Sequence, residues 1–213
     1  MTLPRSATMP RVRRDDAGTV LVSTAHVPDR ASGSALLHDA ATAWESVEPS
    51  AGLVSVGLFL SVDGATALAY AQCVDVASWA PYARAAGSGL GGAAVAYRLR
   101  RSVVLDPEGS VSCVVIATFD VDGPQCQAHI VDGICDAIEV APTAQRPGLR
   151  AANFHVSTDG SRVLNYAEWS SDEAHEEFLR GATRSTAVEI TARTPGIRPI
   201  GFTRYHLHAV LTR

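Results

Sequence analysis

An internal repeat divides this chain into two similar halves. The Asp-Gly pair at residues 63–64 recurs at residues 159–160, and the leucine, tyrosine and alanine that follow it recur at the same offset of 96 residues. A β-branched run at residues 19–24 matches a second run at residues 113–118 at an offset of 94 residues, because the intervening loops differ by two residues. Self-similarity of this kind indicates two copies of one supersecondary unit. We therefore interpret the chain as a tandem duplication.

Each repeat has the same order of predicted elements: a buried strand, a helix, a hairpin, a second helix and a last strand. Apolar residues at three- and four-residue spacing predict the first helix at about residues 32–47 and 125–140. An Asp-Gly pair between two alternating runs predicts a tight hairpin. This βαββαβ order is the ferredoxin-like arrangement, and its sheet has a second face that the sister repeat can cover. We therefore predict an α+β fold in which tandem ferredoxin-like repeats form an intramolecular pseudo-dimeric α+β barrel.

The domain limits follow from the repeat. The basic N-terminal stretch is followed by no apolar segment, so we expect residues 1–17 to form a flexible leader rather than a secretory signal. We assign residues 18–106 to an N-terminal repeat with a degenerate site and residues 110–213 to a C-terminal repeat with the active site. The second helix of the C-terminal repeat is predicted to open at residues 170–173, where serine and acidic side chains can cap free N–H groups.

Composition excludes several classes of function. Hydrophobic residues make up 46% of the 213 residues and charged residues 19%, so the chain can bury a core. The net charge of −4 leaves no surplus of positive charge for nucleic acid or anionic membranes, and we predict neither as a partner. All 18 basic residues are arginine. Without lysine, Schiff-base chemistry, an internal pyridoxal-phosphate aldimine and a Walker P-loop are impossible.

The cysteines and the hydropathy pattern bear on the compartment. Cys73, Cys113, Cys126 and Cys135 form no CxxC motif, which favours buried, reduced thiols. No apolar run approaches the roughly 18 residues of a membrane span. We therefore predict a cytoplasmic protein.

Several motif matches do not fit their structural context. The GxGxxG pattern at residues 87–92 follows a helical stretch and precedes a strand, the reverse of a dinucleotide-binding loop, so we interpret it as a flexible connector. The HEE sequence at residues 175–177 has Leu179 where a zinc-binding helix needs its second histidine. His206 and His208 share a strand face but lack a nearby third ligand. We therefore predict no metal site.

The two repeats differ at three matched positions, where apolar side chains of the first copy give way to polar or hydrogen-bonding ones in the second: Phe59, Ala69 and Cys73 correspond to His155, Asn165 and Trp169. Asn165 and Trp169 alternate with Ala167 along one strand, so all three point to one face. We expect His155, on the preceding hairpin strand, to approach that face. Such groups around an apolar cavity can orient a flat, oxygenated ligand. Taken singly, each is more often a core histidine, a capping asparagine or a packing tryptophan.

The sequence NYAEW at residues 165–169 follows the Asp-Gly hairpin and precedes a helix with the sequence SSDEAHEEFL. In these features the C-terminal repeat resembles the antibiotic biosynthesis monooxygenase family of dimeric α+β barrels. In cofactor-independent, quinone-forming members, an asparagine and a tryptophan four residues later line the pocket, with a histidine ten residues before the asparagine. Asn165, Trp169 and His155 match these positions, so the resemblance implies that they are catalytic.

The resemblance also implies a set of substrate-binding residues. A tyrosine in the family's second helix falls at His175 here, so a phenol is missing from that position. The family's last-strand arginine corresponds to Arg204. Together with Phe154 and His206, these residues are predicted to contact the substrate.

The implied reaction is oxidation of an aromatic polyketide-like phenol or anthrone by O2 to a quinone. O2 is then a co-substrate and no cofactor is needed, because an electron-rich substrate anion can itself reduce O2. The resemblance assigns His155 as base or hydrogen-bond partner and assigns Asn165 and Trp169 as donors to the oxyanion. Three alternatives stay open: a reduced-flavin-assisted, angucycline-type ring-opening oxygenase, a haem-degrading relative, whose residue spacing fits poorly, and a non-catalytic small-molecule binding module. The expected partner is a small aromatic substrate, and association into a homodimer is left open.

Overall fold

The computed structural model describes residues 3–47, 52–85, 89–90, 92–181 and 189–213. The chain divides into two compact units. Unit 1 comprises Met1–Arg98 together with Tyr205–Arg213, and unit 2 comprises Leu99–Arg204.

Unit 1 contains one antiparallel sheet with flanking helices. Asp29 begins the first helix by accepting a hydrogen bond from the backbone N–H of Ser32. The central strands run in the order β5-β2-β4-β3, which is the ferredoxin-like order. Beyond β3 the sheet continues through β9 to β1. The elements are β1 (Arg5–Ser6), β2 (Thr19–His26), α1 (Arg30–Glu45), β3 (Leu53–Ser61), β4 (Thr66–Cys73), a 3-10 turn (Ala77–Trp79), α2 (Ala80–Ala85), the start of β5 (Val95–Val104) and the end of β9 (Ile197–Thr212).

Unit 2 repeats this arrangement with its own strands, in the order β9-β6-β8-β7, and the end of β5 lies beside β7. Its second helix begins at Ser171, whose hydroxyl accepts from the N–H of Ala174, and Asp172 and Glu173 occupy the first turn. The elements are β6 (Cys113–Val121), α3 (Pro124–Val140), a 3-10 turn (Thr143–Gln145), β7 (Leu149–Ser157), β8 (Arg162–Trp169), α4 (Asp172–Leu179) and the first half of β9.

The two Asp-Gly hairpins form as predicted. Gly64 and Gly160 close the turns with φ of 78° and 79°, in the left-handed region that favours glycine. In each turn the aspartate, Asp63 or Asp159, accepts a hydrogen bond from the backbone N–H two residues later. The joined strands pair antiparallel in both units. The Asp-Gly signal therefore located both hairpins correctly.

An α+β fold with ferredoxin-like strand order is thus present in each unit, whereas the pseudo-dimeric barrel stays a prediction. The first helices begin one or two residues earlier than predicted, at Arg30 and Pro124. The units also differ from the predicted domains. Both β5 and β9 continue across a unit limit. Residues 205–213, which were predicted in the C-terminal repeat, belong to unit 1.

The prediction of a flexible leader was wrong for the described residues after position 2. Leu3 and Val12 are buried, and β1 pairs with the end of β9. The buried side chain of Gln72 donates hydrogen bonds to the carbonyl oxygens of Arg11 and Val12. The basic composition of the segment concealed these two apolar anchors. No helix in the described part of the chain is both long and apolar enough to span a membrane.

Candidate active site

Unit 2 contains a cavity of about 360 Å³ between its sheet and its helices. This volume lies within the usual range for small-molecule sites. Most of its wall is apolar, as expected for a site that takes up an organic ligand. The residues that line it come from β6 to β9, from α3 and α4 and, at Thr191, from a helical stretch before β9: Val115, Ala117, Thr118, Phe119, Ile134, Ala137, Ile138, Leu149, Ala152, Phe154, Asn165, Ala167, Trp169, His175, Phe178, Leu179, Thr191, Pro199, Gly201 and Phe202.

Three buried polar atoms of this wall lack a hydrogen-bond partner among the described residues. They are Oδ1 of Asn165, Nε1 of Trp169 and Nδ1 of His175. A buried polar group without a partner costs about 1–3 kcal/mol, so native proteins keep few of them. Three such atoms around one apolar cavity indicate a site for a ligand that carries hydrogen-bonding atoms of its own.

The alternation of β8 explains how two of these groups reach the cavity. Asn165, Ala167 and Trp169 all line it, as the strand period of two predicts. Phe154 and Ala152 stand opposite Asn165 and Ala167 on β7 and line the same cavity. Because Ala167 and Ala152 are small, space remains between the larger side chains. The structure therefore places Asn165, Trp169 and Phe154 in the wall of one cavity, and their catalytic and substrate-binding roles stay predictions.

His175 enters the cavity from α4. Its ring centroid lies 4.9 Å from that of Trp169, at an interplanar angle of 64°, and 5.2 Å from that of Phe202, at 82°. Burial, assisted by the nearby Arg204 guanidinium, lowers the pKa of His175 to about 4, against the opposite influence of Asp172 and Glu176. The imidazole is therefore neutral at neutral pH. In that form it has one nitrogen that donates and one that accepts.

The prediction that His155 joins this group was wrong. In the β7–β8 pairing His155 stands opposite Leu164, whereas Phe154 stands opposite Asn165. Directly opposed residues share a face, so His155 points to the other side of the sheet from Asn165. Its Nδ1 lies 3.0 Å from the carbonyl oxygen of Asn153, and burial lowers its pKa to about 4. Counting residues outward from the Asp-Gly turn reveals this register, whereas the ten-residue spacing alone does not.

Arg204 and His206 do not line the cavity. Nη1 of Arg204 lies 2.6 Å from Oε1 of Glu176 and donates to the carbonyl oxygen of Asp172 at 3.3 Å, so it links β9 to α4 next to His175. His206 belongs to unit 1, where it is exposed and stands opposite Leu60. Within the described ranges no cluster of three or more His, Cys, Asp or Glu residues could hold a metal ion. The predicted connector at residues 87–92 lies partly outside the described residues.

Replacing Arg204 by glutamine is expected to raise the pKa of His175 from about 4 towards its ordinary value. The substitution removes a positive charge that disfavours the imidazolium and leaves the acidic groups of Asp172 and Glu176 in place. NMR titration of the imidazole nitrogens measures the change. Arg198→Gln is the matched control, because Arg198 lies on the same strand but pairs with Asp122. Equal pKa values of His175 in Arg204→Gln and in the wild type contradict the assignment.

Unit 1 has an aromatic cluster at the positions that correspond to cavity residues of unit 2. Its three members, Trp44, Trp79 and Tyr82, are buried, and they stand where unit 2 has Ile138, His175 and Phe178 at the repeat offsets of 94 and 96 residues. Nε1 of Trp44 donates to the carbonyl oxygen of Tyr82 at 2.8 Å, and the two tryptophan rings lie 5.2 Å apart. Large side chains thus pack in unit 1 where smaller ones leave space in unit 2. Sequence comparison of the repeats missed this difference, although the tryptophans at the two offsets carried the signal.

No protein-family model matches this sequence, and a search of curated proteins found no similar sequence. Solved structures do match. An anthrone oxidase-like protein has a TM-score of 0.69 and 18% identity, and the match covers 98% of this chain and 96% of that one. A provisionally assigned monooxygenase from Fusobacterium nucleatum subsp. nucleatum has a TM-score of 0.57 and 9% identity, covering 94% and 96%.

A regulator of staphylococcal pathogenesis also matches, with a TM-score of 0.52, 12% identity and coverage of 88% of this chain and 97% of that one. Proteins of different function therefore share this architecture, and the activity of this chain must be argued from its own site. The chain has the fold of the anthrone oxidase-like protein over nearly its whole length.

Proposed function

We propose that this protein is an oxygenase that oxidises an aromatic polyketide-like phenol or anthrone with O2 to a quinone. The observation that supports this most directly is the convergence of Asn165, Trp169 and His175 on an apolar cavity with their polar atoms unpartnered among the described residues. A flat substrate with one or two oxygen atoms satisfies these groups and buries its rings against the apolar wall. The similarity to an anthrone oxidase-like structure supports the same class of substrate.

The proposed reaction starts with removal of a proton from the substrate. For an anthrone, the resulting carbanion gives electrons to O2 and forms a C–O bond, and protonation yields a hydroperoxide. Loss of water from that hydroperoxide leaves the second carbonyl. One anthrone and one O2 therefore give one quinone and one water, with O2 as the oxidant and no further reductant.

His175 is the best-placed base for the first step, since it lies in the cavity whereas His155 does not. With a pKa of about 4, His175 is neutral and able to accept a proton. An anion forming beside it stabilises the imidazolium, so proton transfer and formation of the anion are coupled. Trp169 Nε1 can only donate, and the Asn165 amide carries both a donor and an acceptor. We assign these two side chains to the developing oxyanion or peroxide.

Oxygen uptake by metal- and flavin-free protein tests this proposal. With a panel of anthrones and naphthols, we expect consumption of one O2 for each quinone formed, measured with an oxygen electrode and by absorbance. Uptake that appears only after addition of reduced flavin replaces the cofactor-independent reaction with the flavin-assisted one. Binding of the same compounds without any uptake overturns the enzymatic proposal and identifies a small-molecule binding module.

A further inference from the structure

The cavity meets solvent at β9. Among its lining residues, those of β6, β7, β8, α3 and α4 are buried or half-buried, whereas Pro199, Gly201 and Phe202 are exposed. A Cβ atom built on Gly201 meets no atom of the described residues within 4 Å, so the backbone there borders open space. The first half of β9 therefore forms the rim of the entrance, and the hydrogen-bonding groups of Trp169 and His175 lie deeper.

Phe202 is the large side chain on this rim. It is 47% exposed, although it lines an apolar cavity, and its ring meets the ring of His175 edge to face at a centroid distance of 5.2 Å. An exposed aromatic ring at the rim of a ligand cavity is typical of a binding surface. A planar ligand that stacks on Phe202 removes its exposed apolar area from water, and the same contact directs the ligand towards His175.

Ile200 provides an internal comparison. It lies two residues before Phe202 on the same strand and is 55% exposed, but it does not line the cavity. The two positions share strand and exposure, and they differ in aromatic character and in access to the cavity. If general surface hydrophobicity affects ligand binding, substitution at either position therefore weakens it. If the ligand contacts Phe202, only substitution of Phe202 weakens binding.

We propose that Phe202 is a specificity-determining residue at the entrance of the cavity, where it selects planar aromatic ligands over saturated ones of the same size. This inference rests on the proposed function for the choice of an aromatic substrate. Its physical basis is the preference of an aromatic face or edge for another aromatic ring, which a puckered ring system cannot satisfy.

Anaerobic binding of 1-naphthol and of decahydro-1-naphthol tests the proposal. The two probes have the same carbon skeleton and one hydroxyl group, but only the first is planar. Without O2 no turnover occurs, so the measurement by calorimetry is independent of whether the protein is an oxygenase. For Phe202→Ala we expect about tenfold weaker binding of 1-naphthol, on the order of one aromatic contact and its burial, and less than about twofold change for the saturated probe.

Phe202→Ala is compared with two control variants. Ile200→Ala should change neither dissociation constant, and Phe202→Tyr, which keeps the ring, should retain the preference for 1-naphthol. Circular dichroism and the melting temperature show whether each variant is folded. An unchanged ratio of the two dissociation constants in folded Phe202→Ala overturns the proposal, and so does an equal loss in Ile200→Ala. Normal selectivity for 1-naphthol without any oxygen uptake in air contradicts the proposed function but leaves the role of Phe202 intact.

Discussion

Asn165→Ala and Trp169→Phe are each expected to lower the turnover number about 10- to 1,000-fold, which is the usual effect of losing one preorganised hydrogen bond to a transition-state oxyanion. Neither substitution removes a hydrogen bond within the described protein, because Asn165 Oδ1 and Trp169 Nε1 have no partner there. The loss of these hydrogen-bonding groups is therefore expected to appear in the rate. Steady-state oxygen uptake with the best anthrone or naphthol measures it.

Trp79→Phe is the matched control for Trp169→Phe. Trp79 is also a buried tryptophan, its Nε1 also lacks a hydrogen-bond partner among the described residues, and it lies in the aromatic cluster of unit 1. The same chemical change there should leave turnover unaltered. If the double variant Asn165→Ala/Trp169→Phe is folded, with a normal melting temperature, and turns over at the wild-type rate, the assignment of the site is refuted.

Acidification from pH 7.5 to pH 5 is expected to lower the free energy of unfolding by about 2 kcal/mol through His155 alone, from its folded pKa and an unfolded pKa of about 6.5. Burial lowers the folded pKa to about 4, so the unfolded chain binds the proton first. The stabilisation is present above pH 6.5 and is lost as the pH falls towards 4. His175 adds a loss of the same sign. Urea unfolding at a series of pH values measures the total.

The variant His155→Gln separates the contribution of His155 to this pH dependence from that of His175. Glutamine keeps hydrogen-bonding capacity near the carbonyl oxygen of Asn153 but does not titrate, so the variant should be less sensitive to pH between 6.5 and 4 even if it is less stable at neutral pH. The carboxyl of Asp159 does not contribute to the pH dependence of stability in this range. Its hydrogen bonds lower its pKa to about 2, so its contribution is lost only at more acidic pH. An undiminished pH dependence in His155→Gln contradicts the role given to His155.

Much of the fold could be predicted from interactions between residues that are close in sequence. The Asp-Gly turns at 63–64 and 159–160, the cap at Ser171 and the periodic helices depend on residues close in sequence. The turns and the cap appear where they were predicted, and the first helices begin within two residues of their predicted starts. The same holds for Asn165 and Trp169, because the period of two along a single strand is enough to place both on one face.

Contacts between segments that are far apart in sequence could not be predicted in this way. Leu3 and Val12 are buried although the composition of the segment is typical of a flexible leader. The segment pairs with β9 and accepts hydrogen bonds from Gln72, both of which lie far along the chain. His175 became the central histidine because α4 packs over the end of β8, a fact of packing that no spacing within the hairpin reveals.

The amino-acid order alone therefore specified the repeat, the order of the elements and the face shared by Asn165 and Trp169, because turns, caps and strand alternation act over a few residues. Folding in three dimensions settled that His175 meets that face and that large side chains pack in unit 1 where unit 2 has smaller ones. His175 reaches the cavity only because α4 packs over the end of β8, and the sizes of Trp44 and Ile138 matter only once a helix lies on the sheet.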